Sequence, residues 1–255
     1  MGRRGVTTDP GADLRGPGEG PILVASGLTK VYRSGSVEVP ALRGIDLVLA
    51  RGTFLAVMGP SGSGKTTLLN CLSGLDDIDG GSVEVDGHDV HAMADGRRTE
   101  HRARSMGFIF QSYNLIGVLS AVENTELPLL LVGMRPTEAR ERAADILGRV
   151  GLGDRGHHRP NELSGGEQQR VAVARALVTG PAIVWADEPT GNLDSVTATN
   201  ILKLLYEVNQ TGQTLVMVTH DPALAAGAQR LVRMQDGLIV ADGSPAEILG
   251  AQPAW

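Results

Sequence analysis

A glycine-rich stretch, GPSGSGKT at residues 59–66, constrains the fold of this chain more than any other feature. It matches the phosphate-binding loop, in which a glycine and four further residues precede Gly-Lys-Ser/Thr. Such a loop turns backbone N–H groups toward anionic oxygens, and the helix that follows adds its positive end. The context fits, because residues 54–58 predict a buried strand before the loop and residues 65–75 predict a helix after it. The loop therefore predicts binding of a nucleoside triphosphate.

The side chains of this loop have separate tasks. Lys65 can reach the β- and γ-phosphates, and the Thr66 hydroxyl can ligate Mg²⁺. The residues expected to bind the triphosphate are Gly59, Pro60, Ser61, Gly62, Ser63, Gly64, Lys65, Thr66 and Thr67.

Composition and charge narrow the class of protein. The chain has 255 residues, at the upper end for one domain, and its formal net charge of -6 argues against a nucleic-acid partner, which favours a basic excess. No apolar run approaches the ~20 residues of a membrane-spanning helix. The single cysteine, Cys71, lies in the helix predicted after the loop and is expected to be a buried thiol. These features predict a cytoplasmic location.

The hydrophobic pattern predicts an α/β fold with two kinds of sheet. Alternating residues at 41–50 and 82–86, with a broken apolar run at 22–33, indicate antiparallel strands that have one buried face. Continuous apolar runs at 182–186 and 214–218 are separated by a segment whose apolar residues recur at helical spacing. Buried strands that alternate with helices indicate a parallel sheet. We therefore predict one domain at 21–247, with a disordered tail at 1–20 and a C-terminal tail at 248–255. Within this domain, the nucleotide-binding core is expected at 21–111 and 166–247, and a helical insert at 112–165.

A second motif, LSGGEQQR at residues 163–170, predicts another anion site. Ser164 and Glu167 form a capping box, so a helix is expected to begin here with free N–H groups in its first turn. Gly165 and Gly166 each cost about 1 kcal/mol in a helix, which makes sense if another group must approach the backbone closely. An over-capped helix is the alternative, but it leaves the paired glycines unexplained.

Together, GPSGSGKT and LSGGEQQR resemble the motifs of the ATP-binding subunit of ABC transporters, and the resemblance covers residues 22–247. The second motif is much more specific to that family than the first. The resemblance implies a P-loop NTPase (ABC ATPase) core with a parallel sheet, a small antiparallel β-subdomain and a helical insert. It also implies a homodimer in which Mg²⁺ and ATP lie between the phosphate loop of one copy and the LSGGE helix of the other. This dimer would drive an integral-membrane permease from the inner face of the membrane.

The resemblance assigns catalytic roles to residues beyond the two motifs. Asp187 and Glu188 end the strand AIVWA and match the Mg²⁺ carboxylate and the group that polarises the attacking water. His220 matches the switch histidine that contacts the γ-phosphate, and it follows a strand at the edge where ligands bind. Gln111, after GFIF, matches a glutamine that contacts Mg²⁺ and leads into the helical insert.

Other matches concern the base and the dimer interface. Tyr32 matches the aromatic residue that stacks on adenine, with a core tyrosine as the alternative. Asp194, in GNLDS, matches a loop that crosses the interface, and it can also cap a helix. The residues expected to meet the partner's nucleotide are Ser164, Gly165, Gly166, Glu167 and Asp194.

Finer resemblance indicates a subfamily. The stretches GFIFQSYNLIGVLSAVENTELPLLL and ADEPTGNLDS resemble the ATPases of macrolide-efflux and lipoprotein-release systems. One alternative is the ATPase partner of a membrane protein that regulates a cell-wall hydrolase and moves no solute. Another is an ATPase of DNA repair or translation, although that class has coiled coils, zinc modules or paired cassettes that this sequence does not show.

Overall fold

The structure is a computed structural model that describes residues 20–250 except residue 36. Its strands are β1 (Leu23–Ser34), β2 (Val37–Leu49), β3 (Phe54–Met58), β4 (Gly80–Val85), β5 (His88–Asp89), β6 (Met106–Phe110), β7 (Ile183–Asp187), β8 (Thr214–Thr219), β9 (Arg230–Gln235) and β10 (Leu238–Gly243). Its helices are α1 (Lys65–Leu72), α2 (Asp95–Ser105), α3 (Ala121–Leu131), α4 (Pro136–Arg149), α5 (Gly165–Leu177), α6 (Ser195–Gln210), α7 (Pro222–Ala225) and α8 (Pro245–Leu249).

The larger sheet has the strand order β10-β9-β3-β8-β7-β6, and every neighbouring pair except β10-β9 is parallel. The predicted strands at 54–58, 182–186 and 214–218 are confirmed to within one residue. They are almost entirely apolar because both faces of the sheet are covered, one by α5 and α6 and the other by α1 and the small sheet. Met58 pairs with Thr219, and Asp187 pairs with Val218, so the carboxyl ends of β3, β7 and β8 share one edge.

Two strands of this sheet, β9 and β10, are not among the predicted ones. They are joined by Asp236 and Gly237, both at positive φ (48° and 76°), as a two-residue hairpin turn of the favoured type requires. The Asp-Gly pair is the sequence signal for this hairpin. Because β9 pairs with β3, it extends the sheet beside the phosphate loop.

The smaller sheet has the order β2-β1-β4-β5 and is antiparallel, which confirms the predicted antiparallel subdomain. Ile45, Leu47 and Leu49 are buried on one face of β2, as the alternation predicts. The predicted strand at 41–50 is longer than expected, because β2 begins at Val37 and pairs along β1. That extension is largely exposed.

Two hydrophobic cores lie on opposite faces of the parallel sheet. One contains α1, the buried face of the small sheet, and the β-strand residues Leu55 and Trp185. The other contains α5 and α6, with Ala56, Val184 and Met217 from the same strands. Alternate residues of each strand therefore serve different cores, which explains why these strands tolerate no polar interruption.

Helix α1 ends at Leu72 rather than at the predicted Leu75. Gly74 adopts φ 66°, and the Leu75 and Gly74 N–H groups donate to the Asn70 and Cys71 carbonyls at 2.8 and 3.2 Å. This is a Schellman ending, in which a left-handed glycine stops the helix and satisfies its last carbonyls. Cys71 is fully buried in the helix, which confirms the prediction for the thiol.

Between β6 and β7 the described chain contains α3, α4, α5 and two 3₁₀ turns, and no strand. Asn124, fully buried in α3, accepts from the Ile116 N–H at 2.7 Å and donates to the carbonyls of Ile116, Leu119 and Ser120. One amide thereby fixes the loop that leads from β6 into this helical segment. No helix in the described ranges is both long enough and apolar enough to span a bilayer.

The predicted C-terminal tail at 248–255 begins too early. A capping box between Ser244 and Glu247 starts α8, and the helix continues to Leu249. Ile248 and Leu249 pack against the core that contains α5 and α6. The rest of that tail, and the predicted tail at 1–20 apart from Gly20, lie outside the described residues.

Candidate functional site

The phosphate loop joins β3 to α1 at the carboxyl edge of the parallel sheet. Gly62 and Gly64 adopt φ values of 79° and 97°, which L side chains rarely adopt. A Cβ on Gly64 would also lie 2.5 Å from the Ala41 carbonyl oxygen of β2. Gly62 is therefore required for its conformation, and Gly64 for both conformation and space.

Lys65 folds back over this loop. Its side chain is largely buried, and Nζ donates to the Gly59 and Pro60 carbonyls at 2.9 Å each. The ammonium group is thus held by loop carbonyls, and no carboxylate among the described residues forms an ion pair with it. A charge in this position can bind an anion that enters the loop.

The first turn of α1 meets the end of β7. The Thr66 hydroxyl donates to Asp187 Oδ1 at 3.2 Å. Burial raises the pKa of the Asp187 carboxyl above its ordinary value, and the neighbouring Glu188 adds to that shift, while Thr66 and Lys65 oppose it. A buried carboxylate of this kind is stabilised by a cation.

Glu188 directly follows β7 and has a strained backbone, with φ 46°. His220 follows β8, and its Nδ1 lies 2.9 Å from Glu188 Oε1 and 3.0 Å from Oε2. Because a carboxylate can only accept, Nδ1 carries the proton in this pair. The structure therefore brings together two residues that are 32 positions apart in the chain.

Gln111 follows β6 and faces the loop after Glu188. Its Nε2 donates to Asn192 Oδ1 at 3.3 Å, and Asn192 Nδ2 donates back to the Gln111 carbonyl at 3.1 Å. A Cβ on Gly191 would lie 2.7 Å from Gln111 Nε2, so a larger residue there would displace the Gln111 amide. Asn192 was not singled out from the sequence, although it lies within the GNLDS stretch.

Tyr32 lies near the end of β1, and its side chain is partly exposed. Its hydroxyl donates to Asp76 Oδ2 at 2.8 Å, and Lys30 Nζ lies 5.1 Å from the ring centroid. The ring is therefore held at its polar end and is not a core tyrosine.

The LSGGE segment starts α5 as predicted. Ser164 Oγ donates to Glu167 Oε2 at 2.8 Å and accepts from the Glu167 N–H at 3.3 Å, which completes the capping box. The backbone N–H of Ser164 lowers the pKa of the Glu167 carboxyl, and so does the Ser164 hydroxyl. The Ser164 hydroxyl is thus already engaged within its own turn.

The paired glycines of α5 have a steric role within this chain. A Cβ on Gly165 would lie 2.9 Å from the Tyr113 hydroxyl oxygen, and one on Gly166 would lie 2.5 Å from Thr197 Cγ2. The close approach expected from the sequence is therefore made, at least in part, by the chain itself. Neither Tyr113 nor Thr197 carried a signal that predicts these contacts.

Asp194 caps α6, as the alternative for this residue predicts. It accepts from the Val196 and Thr197 N–H groups at 3.1 and 3.0 Å, and the Thr197 hydroxyl lowers its pKa together with those N–H groups. The same residue lines an open cleft of about 500 Å³ together with the first turn of α5.

Most of the predicted site residues form two groups, while Gln111 and Tyr32 have the separate contacts given above. The phosphate loop, Asp187, Glu188 and His220 gather at the edge of the parallel sheet. The open cleft at the first turn of α5, called here the second cleft, is lined by Ser164, Gly165, Gly166, Glu167 and Asp194, and none of its described lining residues belongs to the phosphate loop.

Known proteins are similar to this chain in both sequence and fold. Residues 42–191 match the family described as ABC transporter. An "Uncharacterized ABC transporter ATP-binding protein" of Thermotoga maritima is 49% identical over 210 residues, covering 82% of this chain and 90% of that protein. "Macrolide export ATP-binding/permease protein MacB" of Azoarcus sp. (strain BH72) is 44% identical over 244 residues, or 96% of this chain.

This chain spans only 37% of the length of that MacB relative, and 36% of the MacB of Marinobacter nauticus. Among solved structures, a dimeric post-hydrolysis state of the ATP-binding cassette MJ0796, bound to ADP and Pi, superimposes with a TM-score of 0.81. Its sequence is 40% identical, and the match covers 88% of this chain and 98% of that chain. The predicted fold is confirmed, and the chain belongs to the ABC transporter family as an ATP-binding cassette.

Proposed function

We propose that this chain hydrolyses ATP as a pair of identical copies and thereby drives a membrane permease. The observation that carries the proposal is the separation of two motifs in one chain: the first turn of α5 lines an open cleft to which the phosphate loop contributes no described residue. Two copies related by a twofold axis can set each phosphate loop against the partner's α5. The dimeric solved structures of the related cassette support this arrangement.

The phosphate loop would hold the triphosphate, with Mg²⁺ beside it. Thr66 and Asp187 offer two oxygen donors 3.2 Å apart, and Mg²⁺ is usually held by one or two protein oxygens together with phosphates and water. Gln111 can add its Oε1, which its bond to Asn192 leaves free. The ion supplies charge neutralisation at the β- and γ-phosphates.

The remaining residues act around the γ-phosphate and the base. Glu188 is proposed to polarise the attacking water, and His220, whose side chain is 71% exposed, can turn toward the phosphate. Lys65 would exchange its loop carbonyls for phosphate oxygens. Tyr32 offers adenine a ring that Asp76 and Lys30 already orient.

An Asp187→Asn variant tests the cation site. Because the folded-state pKa of Asp187 is raised, the stability that this group contributes is present below its unfolded pKa and lost as pH rises through the folded pKa. Without Mg²⁺ and nucleotide, the variant is therefore expected to melt slightly higher than wild type at neutral pH, by an amount that partial solvation keeps small. Differential scanning fluorimetry against pH measures this.

The same variant is expected to lose the additional stabilisation that Mg²⁺ gives in the presence of ATP. Asp145→Asn, an exposed carboxylate of α4, is the matched control and should behave as wild type. Equal Mg²⁺-dependent stabilisation in Asp187→Asn and wild type would remove Asp187 from the metal site.

A Ser164→Ala variant tests whether α5 serves the partner's nucleotide. It should keep the affinity of the isolated chain for ATP, since Ser164 lines the second cleft. Turnover is expected to fall about 10- to 100-fold, the effect of one hydrogen bond to a charged group. Ser244→Ala is the control, because Ser244 makes the same capping box in α8. Its replacement should also cost about 1 kcal/mol of stability, without any effect on the second cleft.

Mixing tests the head-to-tail arrangement directly. A dimer of one Ser164→Ala copy and one Lys65→Ala copy has a composite site in which both parts are wild type. An equal mixture should therefore hydrolyse ATP faster than the average of the two variants measured alone. A rate equal to that average would contradict the arrangement.

The permease would contact the helical segment, which we propose as a subdomain at 112–165. Three large apolar side chains are exposed there: Ile116, Val118 and Leu131, of which Val118 is 76% exposed. An apolar surface of this kind is typical of a protein contact. The MacB relatives are named as ATP-binding/permease proteins, so we propose a permease of the macrolide-efflux type as the partner.

This assignment puts the chain on the inner face of the membrane. A pull-down from detergent-solubilised membranes should recover a permease. The complex should then hydrolyse ATP faster than the isolated chain does. Recovery of a permease-like protein together with a cell-wall hydrolase would support the regulatory alternative, which the macrolide-export relatives do not favour.

A further inference from the structure

One polar side chain in α5 is buried deeply and is not accounted for by the roles above. Gln169 is fully buried, and its Nε2 donates to the Pro189 carbonyl. Its Oε1 is also buried and has no hydrogen-bond partner among the described residues. An unpaired buried acceptor costs about 1–3 kcal/mol, whereas an apolar side chain of similar shape avoids that cost. The hydrogen bond from Nε2 to Pro189 is therefore expected to have a role that justifies the cost of burying the amide.

The Pro189 carbonyl that accepts this hydrogen bond lies next to Glu188, the strained residue of the candidate site. Pro189 follows Glu188, whose φ is 46°. The Glu188 N–H donates to the Val218 carbonyl at 3.0 Å, and the Glu188 carbonyl accepts from the Gly191 N–H at 3.0 Å. The bond from Gln169 is a third restraint on the same turn, and it comes from a different element. A strained conformation persists only where its surroundings hold it in this way.

We propose that Gln169 is a positioning residue that holds the turn carrying Glu188 in its reactive geometry. This rests on the proposed function, in which Glu188 acts on the attacking water. Gln169 lies two residues after Glu167, in the second turn of the helix whose first turn lines the second cleft. It therefore connects the surface offered to the partner's nucleotide with the Glu188 turn of the same chain. Such a connection makes hydrolysis at one site depend on occupancy at the other.

A Gln169→Met variant tests the proposal, because methionine has a similar shape and cannot donate. We expect kcat for ATP to fall about 10²-fold, the loss that a small misplacement of a catalytic group can cause. The KM for ATP should change less than about threefold, because Gln169 does not touch the phosphate loop.

Dimer formation separates positioning from a general structural role. In a Glu188→Gln background, the Gln169→Met change should leave the ATP-induced dimer intact, because the first turn of α5 keeps its capping box. A Gln169→Asn variant, which is one methylene shorter, should lose kcat in the same way and serves if Gln169→Met does not fold.

Asn209→Ala is the control for lost stability. Asn209 is also buried, and its Nδ2 donates to the Gly52 and Gln213 carbonyls at 2.8 Å, without contact to the candidate site. It should lower the melting temperature and leave kcat within about twofold of wild type. A wild-type kcat in Gln169→Met, or an equal loss in Asn209→Ala, would overturn the proposal. A wild-type chain that does not hydrolyse Mg-ATP would instead overturn the proposed function.

Discussion

Replacing Lys65 with alanine is expected to lower ATP turnover by about 10²- to 10³-fold, the usual cost of removing one preorganised donor from a charge-stabilising site. The Lys65 ammonium group lies within the ring of loop backbone, 2.9 Å from the Gly59 and Pro60 carbonyls. Its loss removes a charge-assisted contact to the phosphates, so ATP affinity should fall about 10- to 100-fold as well. Steady-state hydrolysis and equilibrium binding of a fluorescent ATP analogue measure the two effects.

Lys203→Ala is the matched control for this variant. Lys203 is exposed on α6, away from the phosphate loop, and its removal should leave both turnover and affinity at the wild-type values. Turnover by Lys65→Ala at the wild-type rate would mean that GPSGSGKT is not the hydrolytic site.

Replacing Glu188 with glutamine is expected to lower turnover by about 10²- to 10⁴-fold while ATP still binds. The change keeps the shape of the side chain but removes the negative charge that pairs with His220 at 2.9 Å. Lys65, Thr66 and the loop backbone remain unchanged, so the triphosphate keeps its contacts. ATP should then hold two copies together instead of being consumed, and size-exclusion chromatography with Mg-ATP should show a stable dimer.

The matched control is Glu207→Gln, which removes one exposed carboxylate from α6. It should hydrolyse ATP as wild type does and should show no added dimer. If Glu188→Gln instead stays monomeric with ATP and turns it over at near the wild-type rate, Glu188 is not the residue that activates water.

The core of the fold could be predicted because its strands are determined locally. Phe54–Met58 and Ile183–Asp187 are buried on both faces, so their sequences contain no polar break until the edge where the site lies. β9 is harder to recognise because Arg230 and Arg233 interrupt its apolar residues. Only the Asp-Gly turn after it carries a clear local signal.

The candidate site was predicted in its residue types but not in its contacts. The sequence places Glu188 and His220 at the ends of two strands, yet their bond depends on the parallel pairing of β7 with β8. The close fit of Gly166 against Thr197 depends on how α5 packs on α6. Contacts of this kind join distant positions of the chain, and a local pattern of residues cannot reveal them.

The burial of Cys71 has a practical consequence for measuring the proposed pairing of two copies. It is the only cysteine in the chain, its side chain is inaccessible, and burial raises the pKa of the thiol to about 12. Thiol-directed dyes react with the thiolate, so the native chain should label very slowly at neutral pH. A single cysteine introduced at an exposed position such as Val118 would then carry all of the dye, and distances between two copies could be followed by fluorescence without first removing a native residue.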